Sequence, residues 1–238
     1  MKGIGMNKFM GVCAAAGVVA ATMLQGCLPV PLHTQDFADG AVDLQGKQLY
    51  FIPATIEGDP NYNRMVVDIT ALGNNPTGDT QVNVPFELVL GLGNAVEFYG
   101  ALYESLFIGA DGTIGMGEAG DNSTLTNHFL QPQVSLLPVD AIGAGTVSFD
   151  VVAGDSVAVT YDGVTAGGAS ATAQAEFFIG GDQYADIALS YLVLSAQAGG
   201  VYGLSNGQLD GANDERITQF LADFRNQVPL TTAVMTGT

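Results

Sequence analysis

Apolar and polar side chains alternate with a period of two over most of the chain, in short β-branched runs cut by Gly, Asn and Asp. That pattern predicts strands at 48–52, 64–72, 82–90, 95–98, 105–108, 113–116, 134–137, 145–152, 156–161, 173–179, 187–194 and 201–204. Asp111-Gly112 suits a tight hairpin because both residues tolerate positive φ, and Ala153-Gly154-Asp155 and Gly180-Gly181-Asp182 suggest two more. Many short strands with Gly/Asp turns and little helical periodicity predict an all-β fold, an antiparallel β-sandwich. One amphipathic helix is expected near the C-terminus, at about 214–228. Asn213 or Asp214 can cap it, Ile217, Phe220, Leu221, Phe224 and Val228 share one face, and Pro229 stops it. That face either packs on the sandwich or offers Ile217, Phe220 and Phe224 to a partner.

The first residues follow a different rule. Lys2 and Lys8 precede an uncharged apolar run, Phe9 to Leu24, that is too short for the roughly 20 residues of a membrane span. This is the layout of an export signal, covering residues 1–26. Its end, Leu24-Gln25-Gly26-Cys27, resembles the bacterial lipobox. The resemblance implies cleavage between Gly26 and Cys27, a diacylglyceryl thioether on Cys27 and acylation of the new amine. Two or more acyl chains hold a protein stably in a bilayer, where one holds it marginally. Leu28 follows, without the Asp that retains such proteins at the inner membrane, so the expected location is the outer membrane, on its periplasmic face or at the cell surface. Residues 27–43 then read as lipidated cysteine and tether, a flexible coil of ~16 residues spanning roughly 20–25 Å. The sandwich domain occupies 44–238.

Composition sharpens this picture. Of the two cysteines, Cys13 leaves with the signal and Cys27 carries lipid, so the mature domain keeps no thiol for a disulfide, a Cys-zinc site or a nucleophile. Lys47, Arg64, Arg216 and Arg225 face 24 acids, a net charge of about −20 for the mature chain. Such a surface repels nucleic acid, which is excluded as a partner, and attracts cations.

Chemistry is sparse. His33 and His128 are the only histidines, and His33 falls in the tether. His128, at the start of a strand, reads as structural rather than as a catalytic base. There is no metal-spaced His pair and no P-loop. Ca²⁺, which takes six to eight oxygen ligands, is the candidate cofactor. Its candidate ligands are Asp121 (with Glu118 and Asn122), Asp140, and Asp210 and Asp214 with Asn213; Asp214 is equally a helix cap.

A second resemblance runs from about Val96 to Gly207. Phe98-Tyr99-Gly100, the stretch from Tyr103 to Ile114, His128 to Pro132, Gly145 to Phe149, Val157 to Val164, Tyr191, and Gly203 to Gly207 stand in the order found in nidogen-like extracellular β-domains. The likeness covers about half of the mature chain and departs from the pattern at three places. Ala141 follows Asp140 where an acidic pair is usual, Tyr161 replaces Trp or Phe, and Met116 replaces an aromatic. It implies extracellular adhesion or matrix association.

The sequence thus points to a non-catalytic, lipid-anchored envelope protein that serves adhesion or envelope structure through a protein or glycan ligand. A ligand- or glycan-binding module is the alternative, and a carboxylate-based hydrolase the most distant one.

Overall fold

In the computed structural model the described residues are 34–36, 44–53, 62–73, 80–91, 93–121, 123, 125–137, 142–152, 155–166, 169–179, 186–194 and 201–207. The expected C-terminal helix, with Ile217, Phe220 and Phe224, and the signal and lipidation residues Gly26 and Cys27 lie outside them, as do Asp140, Asp210 and Asp214.

The alternating pattern resolves into two antiparallel sheets. The six-stranded sheet has the order β1 (Thr34–Asp36), β15 (Val201–Asn206), β10 (Pro132–Ser135), β9 (Thr113–Met116), β8 (Ser105–Ile108), β5 (Phe86–Val89). The seven-stranded sheet runs β3 (Tyr62–Asp68), β2 (Lys47–Pro53), β14 (Ile187–Leu194), β13 (Ala169–Phe178), β12 (Ser156–Ala166), β11 (Thr146–Val152), β4 (Thr80–Val82). A separate hairpin pairs β6 (Val96–Phe98) with β7 (Ala101–Tyr103).

One hydrophobic core joins the sheets. Leu49, Phe51, Val157, Val159, Tyr161, Ala173, Phe177, Leu189 and Tyr191 meet Leu106, Ile108, Ile114, Met116, Val134, Tyr202 and Leu204. Alternate positions of each strand contribute to it, as a pleated strand requires. The packing includes an edge-on contact of Tyr191 with Tyr202, ring centroids 5.9 Å apart, and a stacked pair, Phe86 on Phe149, at 5.7 Å.

The opposite face of the seven-stranded sheet is also covered. Gln48, Ser190, Gln174, Thr160 and Ser148 form one cross-strand row and are all buried. Polar groups taken from water need partners, and Gln174 Nε2 donates to Thr160 Oγ1 at 2.8 Å. Gly73 lies over this row, so close that a methyl group there would stand 3.4 Å from Glu176 Oε2 and 3.7 Å from Gln48 Nε2.

Several expectations are corrected. The tether read as coil contains β1, which pairs with the edge of β15 over Thr34–Asp36. The single strand expected at 82–90 is two, because Pro85 has no N–H to give a ladder. The chain leaves one sheet after Val82 and joins the other at Phe86. β12 runs on to Ala166 through a bulge after Tyr161, and β13 begins at Ala169. Before β10 stands a four-residue helix, α1 (Leu125–His128), so His128 ends a helix rather than starting a strand.

Candidate functional site

Asp121 and His128, both singled out by the sequence, lie in a layer that covers the outer face of the six-stranded sheet. Gln133 of β10 organises it. Its Oε1 accepts the Asp121 N–H at 2.7 Å, and its Nε2 donates to the Asp121 and His128 carbonyls at 2.7 and 2.9 Å. The buried side-chain amide thus replaces a missing strand partner.

Both carboxylate oxygens of Asp121 are engaged just before α1. Oδ1 accepts the Ser123 N–H at 2.8 Å, and Oδ2 accepts Asn127 Nδ2 at 2.9 Å. The side chain closes a turn and ties it to the helix, a common use of Asp at such positions. Glu118, expected beside it as a calcium ligand, is exposed. Among the described residues no group of three or more His, Cys, Asp or Glu converges on a metal site.

His128 is wholly buried. Its ring donates to the Leu204 carbonyl, and Nδ1 lies 2.7 Å from Ser135 Oγ. In the neutral ring only one nitrogen carries hydrogen, so Nδ1 accepts from the Ser135 hydroxyl. Burial, opposed only in part by the Leu204 bond, holds the imidazole down at about 3. A ring that stays neutral near pH 7 and has both nitrogens committed is a structural bridge between α1, β10 and β15.

The other arrangement of chemical interest was not legible in the sequence. At the β6–β7 hairpin Tyr99 adopts φ +48°, a left-handed conformation costly for a bulky side chain. Its N–H donates to Tyr62 Oη at 3.0 Å, and its ring packs edge-on against Tyr62, centroids 4.9 Å apart. Tyr62 Oη in turn donates to the Asp186 carboxylate at the foot of β14. Burial first, then the charge of Glu97 on β6, push the Asp186 carboxyl up to about 6, against the lowering effect of the Tyr62 bond. The Tyr62 hydroxyl is itself pushed well above its ordinary range, mainly by burial. The Tyr99 hydroxyl is buried without a hydrogen-bond partner.

Chemically, this cluster offers a carboxyl, that of Asp186, that exchanges a proton near pH 6 in the field of the Glu97 charge. The residues come from β3, β6, the hairpin turn and β14, so no spacing in the chain announces them. The only local cue is Tyr99-Gly100, a turn pair.

No family model, no curated protein and no solved structure matches the chain.

Proposed function

We propose that this is a lipid-anchored protein of the bacterial envelope whose sandwich acts as a non-catalytic adhesion or interaction module. The observation that carries the reading is Leu24-Gln25-Gly26-Cys27 placed directly after a charged and then apolar leader. Two features of the folded domain support it. His128, the histidine of the sandwich, is committed to internal hydrogen bonds rather than free to move protons for a substrate. The surface carries exposed acids such as Asp68, Glu87, Glu97, Glu104, Glu118, Asp155 and Asp162, suited to contacts bridged by cations.

The second reading, a ligand- or glycan-binding module, draws on the Tyr62–Asp186–Glu97 cluster, where tyrosine and carboxylates meet. Calcium remains a candidate for the acidic loops.

Detergent phase separation of cells expressing the full chain, beside the Cys27→Ser variant, tests the anchor. The native chain is expected in the detergent phase and the variant in the aqueous phase. Equal partition of both into water would end the lipid-anchor reading.

A further inference from the structure

One end of the six-stranded sheet is defined by its registers. Val89, the last residue of β5, pairs with Ser105, the first of β8, and Leu106 pairs with Met116, the last of β9. Pro132, the first residue of β10, pairs with Asn206, the last of β15. β1 runs antiparallel to β15, Thr34 opposite Gly203 and Asp36 opposite Val201. The direction of β1 therefore brings the chain into the domain from the Asn206 end.

The exposed large apolar side chains gather at that same end. Among the described residues they are Leu102 (71% exposed), Val89 (67%) and Leu130 (37%). Val89 closes β5, and Leu130 precedes Pro132 by two positions. Leu102 lies on the hairpin that springs from this end, where the Leu90 N–H donates to the Glu104 carbonyl at 2.9 Å. Elsewhere the described large apolar side chains are buried or half-buried.

We propose that the end of the sandwich bearing Val89, Leu102 and Leu130 lies against the zwitterionic lipid surface in which Cys27 is anchored. The proposal rests on the lipid-anchor reading above. Residues 28–33 separate Cys27 from β1, so the fully extended chain from Cys27 to Thr34 spans at most about 25 Å. The acyl chains hold this end of the domain near the bilayer, where isolated apolar side chains enter the headgroup boundary. Exposed apolar side chains collected at one end of the fold mark such a contact better than the same residues scattered singly. Charge selects the lipid: Glu97, Glu104 and Glu118 are exposed on this end, so an anionic surface would repel it and a zwitterionic one would not.

The test uses the full lipidated chain in phosphatidylcholine vesicles. Once Cys27 carries lipid, a cysteine placed at Val89, Leu102 or Ala144 is the sole thiol and takes a fluorophore. Ala144, exposed next to the Ala144 carbonyl bond from the Thr165 N–H, reports the opposite end. Flotation with the vesicles, followed by acrylamide quenching, is expected to show several-fold protection at 89 and 102 and none at 144. Hydrogen exchange on the unlabelled chain should slow over 87–90 and 101–105 when vesicles are present. If the chain floats but 89 and 102 are quenched as readily as 144, this membrane face is wrong and the anchor stands. If the chain does not float, both readings fall.

Discussion

The hydroxyl of Tyr161, wholly buried, donates across the sandwich to the Gly109 carbonyl at 2.9 Å, with the Thr113 carbonyl a second acceptor at 3.3 Å. It thereby fastens β12 of one sheet to the β8–β9 turn of the other. Gly109 N–H closes that turn on the Thr113 carbonyl at 2.8 Å, and Asp111 Oδ1 accepts the Thr113 hydroxyl at 2.6 Å. Burial, then the Asp111 charge, push the phenol far above its ordinary range, so it stays protonated and donating. Tyr161→Phe keeps the ring and leaves buried carbonyls short of a donor, a cost of about 1–2 kcal/mol. Calorimetry should show a fall of several degrees in Tm with an unchanged circular dichroism spectrum. An unchanged Tm would mean the hydroxyl does not join the sheets.

His128 makes stability depend on pH. Its folded-state value of about 3 lies below the ordinary imidazole value of ~6.5. Between those limits the unfolded chain binds the extra proton, so stability falls as pH drops through that window. Denaturant midpoints from pH 8 to pH 3.5 should decline on the acid side. His128→Gln, which leaves the Leu204 carbonyl or the Ser135 hydroxyl badly paired, should cost about 2–3 kcal/mol at pH 7. It should also lose part of the acid slope. A variant with an unaltered slope would contradict the neutral buried imidazole.

Asp186 works in the opposite sense. Its folded value of about 6 exceeds the ordinary carboxyl value of 3.8, so the folded chain binds the extra proton between roughly pH 4 and 6. This contribution is present below about pH 4 and is lost as pH rises through 6. Asp186→Asn removes the charge facing Glu97, keeps an acceptor for Tyr62, and should raise Tm above pH 6. It should also expose the full acid slope of His128, which the native Asp186 partly offsets. Superimposable pH profiles for the variant and the native chain would show that the carboxyl is not perturbed.

Asp121 should behave as a structural residue. Asp121→Ala removes acceptors from the Ser123 N–H and the Asn127 amide, and should cost about 1 kcal/mol, as loss of a helix cap does. The Tm difference from the native chain should be the same in CaCl₂ and in EDTA at matched ionic strength. A calcium-specific rise in the native chain that vanishes in the variant would make Asp121 a ligand after all.

The strands Ser105–Ile108, Thr113–Met116 and Ile187–Leu194 were legible residue for residue, because β-branched and apolar runs end there at glycine, aspartate or a polar turn. β12 was cut short because Gly163, at φ +58°, interrupts the period while the pairing with β13 continues to Ala166 opposite Ala169. β1 and β7 span three residues each and carry too little alternation to register. α1, at four residues, shows no helical face. Asp121 was visible as an acid in a loop, yet its place is fixed by Gln133, twelve positions away, which holds its backbone N–H and carbonyl. The Tyr62–Tyr99–Asp186 cluster was hidden for the same reason: its members meet only after non-neighbouring strands assemble.

The measurement that bears most directly on the whole account is the intact mass of the mature chain extracted from membranes. The account predicts a polypeptide beginning at Cys27, heavier than its sequence by a diacylglyceryl group and an amide-linked acyl chain, and stripped of that mass in Cys27→Ser. A chain that begins elsewhere, or begins at Cys27 with no added lipid, would contradict the anchor and leave a sandwich without a membrane.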